Sequence, residues 1–122
     1  AKYLEQNDKV AYVNYCGLEN DKYHALAEKY LPNGSCGVVS FGVKGGRKAA
    51  EEFMKHLKLG SIETHVADAR TCCLHPASAT HRQMNDEELT ACGVYPDLVR
   101  YSCGLEDAED LIADLEQAFA QI

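Results

Sequence analysis

The sequence contains no C-x-x-C pair, no G-x-G-x-x-G fingerprint and no G-x-x-x-x-G-K-[ST] loop. The first absence removes the usual framework of a structural zinc site. The other two remove the common phosphate-cradling turns. Basic residues are scarce: 12 Lys and Arg stand against 19 Asp and Glu, for a net charge of −7. Lacking a basic stripe, the chain does not read as a nucleic-acid binder. No apolar run reaches the ~20 residues that a membrane-spanning helix needs. No charged-then-apolar leader opens the chain, so a cytoplasmic protein is expected. There is no initiator Met, and Ala1-Lys2-Tyr3-Leu4-Glu5-Gln6 reads as the last turns of a helix already under way, so a fragment of a longer protein is expected.

Cysteine and histidine, by contrast, are plentiful. The six cysteines are Cys16, Cys36, Cys72, Cys73, Cys92 and Cys103. An even count permits a disulfide framework, but that solution belongs to small secreted domains without a proper core. Here the apolar periodicity is good and the hydrophobic content is ordinary for a globular domain. Free, mostly buried thiols are therefore expected. Cys72 and Cys73 lie near His75 and His81, yet neighbours on a strand point to opposite faces, so both do not easily reach one ion. No local pattern marks an activated thiol either. Lys44-Gly45-Gly46-Arg47 precedes a helix and could hold an anion, but a strand-to-helix turn that needs glycine is the better explanation.

The pattern along the chain alternates strand and helix. Val10 to Tyr15, Cys36 to Val43, Ser61 to Val66, Thr71 to Leu74 and Leu98 to Cys103 are rich in β-formers. In the second, Val39, Phe41 and Val43 share one face, and smaller residues occupy the other, which suggests close approach of another group. Tyr23, Leu26, Ala27 and Tyr30 recur at helical spacing. So do Ala49, Ala50, Phe53, Met54 and Leu57, with Arg47, Lys48, Glu51, Glu52 and Lys55 as the solvated face. A third such set is Leu111, Ile112, Leu115, Phe119 and Ile122. Asn85 is a candidate cap for a short helix from Asp86 to Ala91. The expected fold is α/β in the α+β sense: a mainly antiparallel or mixed sheet of about five strands with helices on one face. The Ser61–Leu74 pair looks hairpin-like. The other sheet face is expected to be apolar and uncovered within this chain, and so to require a partner domain.

Arg100 is the sharpest single feature. It sits inside Leu98-Val99-Arg100-Tyr101-Ser102-Cys103, where alternation places Leu98, Arg100 and Ser102 on one face. A guanidinium in a half-buried strand cannot shed its charge, so it needs an anion or several acceptors. Its planar fork suits a carboxylate. An anion receptor for a small acid and an internal Arg–Asp or Arg–Glu pair both meet that need, and an exposed position on an edge strand would remove it. The loop His75-Pro76-Ala77-Ser78-Ala79-Thr80-His81 offers further hydroxyls and imidazoles, either to a ligand or to its own backbone.

Taken in order, several stretches resemble a family. They are Asn14-Tyr15-x-Gly17-Leu18-Glu19, Tyr23-His24-x-Leu26-Ala27-x-Lys29-Tyr30-Leu31-Pro32, Lys44-Gly45-Gly46, Ala67-Asp68-Ala69-Arg70-Thr71, His75-Pro76-Ala77-Ser78-x-Thr80-His81, Gly93-Val94-x-Pro96-Asp97-Leu98-Val99-Arg100 and Gly104-Leu105-Glu106-Asp107. Together they resemble the C-terminal domain of the pyridoxal-phosphate enzymes of cysteine and methionine metabolism. The Asp-Ala-Arg-Thr and His-Pro-Ala-Ser stretches are most similar to the O-acetylhomoserine sulfhydrylases.

The resemblance implies the small C-terminal domain of a fold-type-I pyridoxal-phosphate enzyme, spanning residues 1–122 as a single substrate-binding domain. The cofactor-binding large domain would lie upstream. In the parent, pyridoxal 5'-phosphate would serve homocysteine synthesis from O-acetylhomoserine and sulfide. A methionine γ-lyase or a cystathionine synthase or lyase is the alternative within the family, and a free-standing anion-binding or interaction module is the alternative outside it. Arg100 matches the family's substrate-carboxylate arginine, and Thr80 a threonine near that carboxylate. His65 falls where relatives carry Ser or Asn helping to hold it. No lysine here sits in the family's Schiff-base motif. The isolated domain is therefore expected to bind no cofactor and to be inactive by itself, its partners being an amino-acid substrate, its own large domain and further copies of the parent in a homo-oligomer, expected to be a tetramer.

Overall fold

The computed structural model describes residues 1–122. Its secondary structure runs α1 (Lys2–Gln6), β1 (Val10–Asn14), α2 (His24–Tyr30), β2 (Val38–Val43), α3 (Gly46–His56), β3 (Ser61–Ile62), β4 (Cys72–Leu74), a 3-10 turn (Pro76–Ser78), α4 (Asp86–Ala91), β5 (Leu98–Ser102) and α5 (Ala108–Phe119). The five strands form one sheet in the order β1-β2-β5-β4-β3. Three pairings are antiparallel, and β3 with β4 is parallel, so the sheet is mixed as expected.

Alternation divides the sheet cleanly. Val39, Phe41 and Val43 of β2 share a face with Val99 and Tyr101 of β5 and Cys73 of β4, and all are buried. Ala50, Phe53 and Met54 of α3, Leu115, Ala118 and Phe119 of α5, and Leu4 of α1 close over them in one cluster. At its centre Phe53 stacks on Phe119 with centroids 4.4 Å apart and meets Phe41 edge-on at 5.8 Å, a geometry favoured by the ring quadrupoles. Helices thus cover one face, and burial of this whole apolar cluster favours the folded state.

Local signals explain most element ends. Gly45 and Gly46 have φ of +103° and +73°, so the turn into α3 needs residues that tolerate the left-handed region. Asn85 caps α4 through a reciprocal capping box with Glu88. In α5, Asp114 is buried among apolar neighbours. Its carboxylate accepts the backbone N–H groups of Lys58 (2.8 Å), Leu59 (2.9 Å) and Gly60 (2.8 Å), tying the turn after α3 to α5.

Four expectations need correction. The Ser61–Leu74 segment is not a hairpin: a nine-residue connection, 63–71, crosses back so that β4 runs parallel to a β3 only two residues long. The helical stripe of α2 does not face the core. Only Ala27 is buried, while Tyr23, Leu26 and Tyr30 are each more than half exposed. Arg47 is no solvated residue. It donates from Nη1 to the Ala77 carbonyl (2.8 Å) and from Nη2 to Asp86, bracing α3 against the 3-10 turn and α4. Finally, the second sheet face is not uncovered within the chain. The 63–70 loop lies over Cys72 and Ser102, and the 75–81 loop lies beside Leu74, leaving a hollow whose exposed lining is mostly apolar, as expected, with Arg100, Thr80 and His81 as its polar members. The small residue expected to permit close approach is Gly42, whose missing side chain is replaced by the Tyr12 ring from β1 and by Asp97. The Tyr12 hydroxyl donates to Asp97 at 3.2 Å.

Candidate functional site: a single arginine in a hollow of the open sheet face

Position is set by the register. Arg100 lies at the middle of β5, opposite Ser40 of β2 on one side and Leu74 of β4 on the other. All three project into a hollow of about 520 Å³ lined also by Val38, Pro76, Thr80, His81 and Leu98. Strand neighbours fix the floor and the 75–81 loop forms a wall. That loop is rigid for identifiable reasons. Pro76 restricts it, and Arg47 grips the Ala77 carbonyl. Buried His75 bridges it to the strand entry: its Nε2 is 2.7 Å from the Pro96 carbonyl, an acceptor only, so Nε2 donates there, while Nδ1 lies 2.8 Å from the Ser78 hydroxyl.

Arg100 forms no salt bridge with any carboxylate of the chain. The internal ion-pair reading is therefore excluded. Its Nη2 donates to the carbonyls of Thr64 (2.8 Å) and His65 (3.1 Å), and its Nε is buried without any hydrogen-bond partner. Two neutral carbonyls orient the guanidinium but do not neutralise it. A buried N–H without a partner is costly. The group is thus held in place, charged and under-satisfied, and its remaining N–H groups could pair with an anion. A slightly larger hollow between α1 and the 17–28 segment, about 560 Å³, is lined by Glu5, Glu19 and Glu28 and would repel an acid.

The three residues singled out in the sequence stand differently. Thr80 and Arg100 line the same hollow, with the Thr80 hydroxyl 2.9 Å from His81 Nδ1. His65 meets Arg100 through its backbone carbonyl. Its imidazole lies outside the hollow, 3.0 Å from a Glu63 carboxylate oxygen and 3.6 Å from Asp68. Sequence reasoning missed Ser102 and Glu106, which fasten the loop beneath Arg100. Ser102 Oγ accepts the Ala67 N–H at 3.0 Å, and Glu106 accepts both the N–H and the hydroxyl of Thr71 at 2.8 Å. Those two donors hold the Glu106 carboxyl below its ordinary value.

Thiol chemistry finds no support in this geometry. All six cysteines are free. Burial pushes the Cys73 thiol well up and raises that of Cys72, so neither is an activated nucleophile.

A five-stranded mixed sheet carrying one unneutralised arginine in a hollow is an arrangement to which an anion could be fitted. Comparison with known proteins supplies the family. The family model described as Cys/Met metabolism PLP-dependent enzyme matches residues 1–120. The chain belongs to that family. It is 48% identical over 118 residues to a homocysteine synthase of Schizosaccharomyces pombe, covering 97% of this chain and 28% of that protein. It is 46% identical over 120 residues to O-acetyl-L-homoserine sulfhydrylase 1 of Thermus thermophilus, covering 98% of this chain and 28% of that protein. Its fold matches a crystal structure of an O-acetylhomoserine (thiol)-lyase of Campylobacter jejuni carrying N'-pyridoxyl-lysine-5'-monophosphate. The TM-score is 0.89 at 36% identity, over 98% of this chain and 28% of that one. The chain thus spans a little over a quarter of the length of the relatives it matches. The family's pyridoxal-phosphate dependence raises the question of fit. The hollow offers a guanidinium, a hydroxyl and an imidazole but no lysine. The donor set suits a substrate carboxylate and does not suit the cofactor, which needs an amine for its aldehyde.

Proposed function

We propose that this chain is the substrate-binding domain of an O-acetylhomoserine sulfhydrylase-like enzyme, which forms homocysteine from O-acetylhomoserine and sulfide. The observation that carries the proposal is Arg100: anchored by the Thr64 and His65 carbonyls, paired with no carboxylate, and facing a hollow. In this reading the free edge of the guanidinium takes the amino-acid carboxylate, and the Thr80 hydroxyl donates to one of its oxygens. His65 contributes its carbonyl, which keeps the guanidinium plane fixed. Holding one end of a flexible substrate in a defined place removes orientational freedom before reaction, a gain read in kcat/KM. Leu74, Leu98 and Val38 exclude water around the pair and strengthen it. The residues that hold pyridoxal phosphate belong, in this proposal, to the remainder of a cytoplasmic parent, which also packs over the open face and assembles as a homo-oligomer.

The test is made on the full-length protein. O-Acetylhomoserine with sulfide should yield homocysteine and acetate. Release of 2-oxobutyrate and ammonia, with no homocysteine, would replace the proposed reaction by an elimination.

A further inference from the structure

We infer that Ser102 is a positioning residue for Arg100, acting through the Thr64–Ala67 loop. The inference rests on Arg100 being the carboxylate receptor. Arg100 Nη2 takes its orientation from two backbone carbonyls, those of Thr64 and His65. Neither belongs to the sheet: β3 ends at Ile62 and β4 begins at Cys72. Those carbonyls stay in place only if the loop does. Within Thr64–Ala67 a single hydrogen bond besides the Arg100 contacts reaches back to the sheet, the Ala67 N–H donated to Ser102 Oγ at 3.0 Å. Ser102 lies two residues beyond Arg100 on the same face of β5 and is 1% exposed, so its hydroxyl is a fixed point.

A second observation shows that the loop does not hold this shape unaided. Ala67 has φ +57° and is the single non-glycine residue of the chain in the left-handed region. That conformation is unfavourable for a side chain with a Cβ and persists only when surrounding contacts enforce it. The Ser102 hydroxyl meets the amide of the strained residue itself. Further along, Leu105 N–H donates to the Ala69 carbonyl at 2.9 Å and Arg70 Nη2 reaches Glu63 at 2.5 Å, so the loop's far half has its own fastening. The near half, which carries the Arg100 acceptors, is pinned to the sheet at its start by the Glu63 N–H on the Cys73 carbonyl at 3.0 Å and at its end by Ser102, and of these two only the Ser102 contact is made by a side chain. Losing the Ser102 hydroxyl lets Ala67 relax, carries the Thr64 and His65 carbonyls away from Nη2, and releases the guanidinium from the plane in which it meets a carboxylate.

The experiment compares Ser102→Ala, Ser102→Thr and Arg100→Lys in the full-length protein by steady-state kinetics in the amino-acid substrate. One hydrogen bond in a buried setting is worth about a factor of ten. Ser102→Ala should therefore raise KM about tenfold with kcat within about twofold, and Ser102→Thr, which restores the hydroxyl, should return KM to within about threefold. A merely structural role would lower the active fraction, and so kcat, with KM unmoved. If Ser102→Ala does not fold, Ser102→Cys takes its place, since sulfur is a weak acceptor in nearly the same volume, and the same rise in KM is expected. A rise in KM for Arg100→Lys without one for Ser102→Ala or Ser102→Cys overturns the inference and leaves the site standing. No rise for Arg100→Lys overturns the site and the inference together.

Discussion

Replacing Asp114 by alanine should cost this domain about 3 kcal/mol. The carboxylate accepts three consecutive backbone N–H groups, those of Lys58, Leu59 and Gly60, at 2.8 to 2.9 Å. Lys58 and Leu59 are exposed and their amides regain water when the carboxylate goes, so each bond lost costs about 0.5–1 kcal/mol net. Gly60 is buried, and its orphaned N–H carries a desolvation cost of about 1–3 kcal/mol. Gln117, whose side-chain amide bridges Asp114 and the His56 carbonyl, loses one acceptor as well. Asp114→Asn keeps one carbonyl oxygen and should cost about half as much. Urea unfolding of the domain at pH 7, followed by far-UV circular dichroism, measures both. An alanine variant within about 0.5 kcal/mol of wild type would refute the claim that this carboxylate anchors the α3–β3 turn, because effects of that size are typical of ordinary surface sites.

Two further expectations concern the loops around the hollow. Glu106 has its carboxyl held down by the Thr71 donors, so the stability it contributes is fully present above the unfolded value near pH 4.5 and is lost as pH falls through the lower folded value. Glu106→Gln should therefore flatten the acid limb of a stability–pH curve, and an unchanged limb below pH 4.5 would count against it. Arg47→Met removes the grip on Ala77 and Asp86 and should expose the 79–84 segment. Limited trypsin digestion should then cut after Arg82 several-fold faster than in wild type, and equal rates would contradict the bracing role.

Much of this architecture is readable from residues alone because it rests on periodicity. The Val39–Phe41–Val43 face, the α3 and α5 stripes and the Asn85 cap all follow from spacing of 2 or 3.6 and from local hydrogen-bond chemistry. Arg100 stood out because a permanent charge inside a β-rich hexapeptide is locally inconsistent. Such conflicts tend to mark function. What stayed hidden depends on contacts far apart in sequence. Ser102 meets Ala67 across 35 residues, and Asp114 meets Gly60 across 54. In sequence the first is an ordinary strand serine and the second an ordinary acid on an amphipathic helix. The parallel direction of β4 escaped notice for a related reason, since it is set by the path of the 63–71 crossing and not by any residue of β3 or β4. The α2 stripe has the right period, but periodicity reports an apolar face and not what that face meets. Tyr23, Leu26 and Tyr30 accordingly stand in solvent.

The most direct measurement compares the substrate with its carboxyl methyl ester in the full-length protein, for wild type and for Arg100→Ala. The ester removes the charge that Arg100 is held to meet and leaves the rest of the molecule intact. Truncating one partner of a desolvated charge pair costs about 2–5 kcal/mol. Wild type should therefore prefer the free acid about a hundredfold in kcat/KM, and Arg100→Ala should bring the two substrates to within about threefold. A variant that keeps the hundredfold preference would show that the carboxylate is held elsewhere, and would contradict the account.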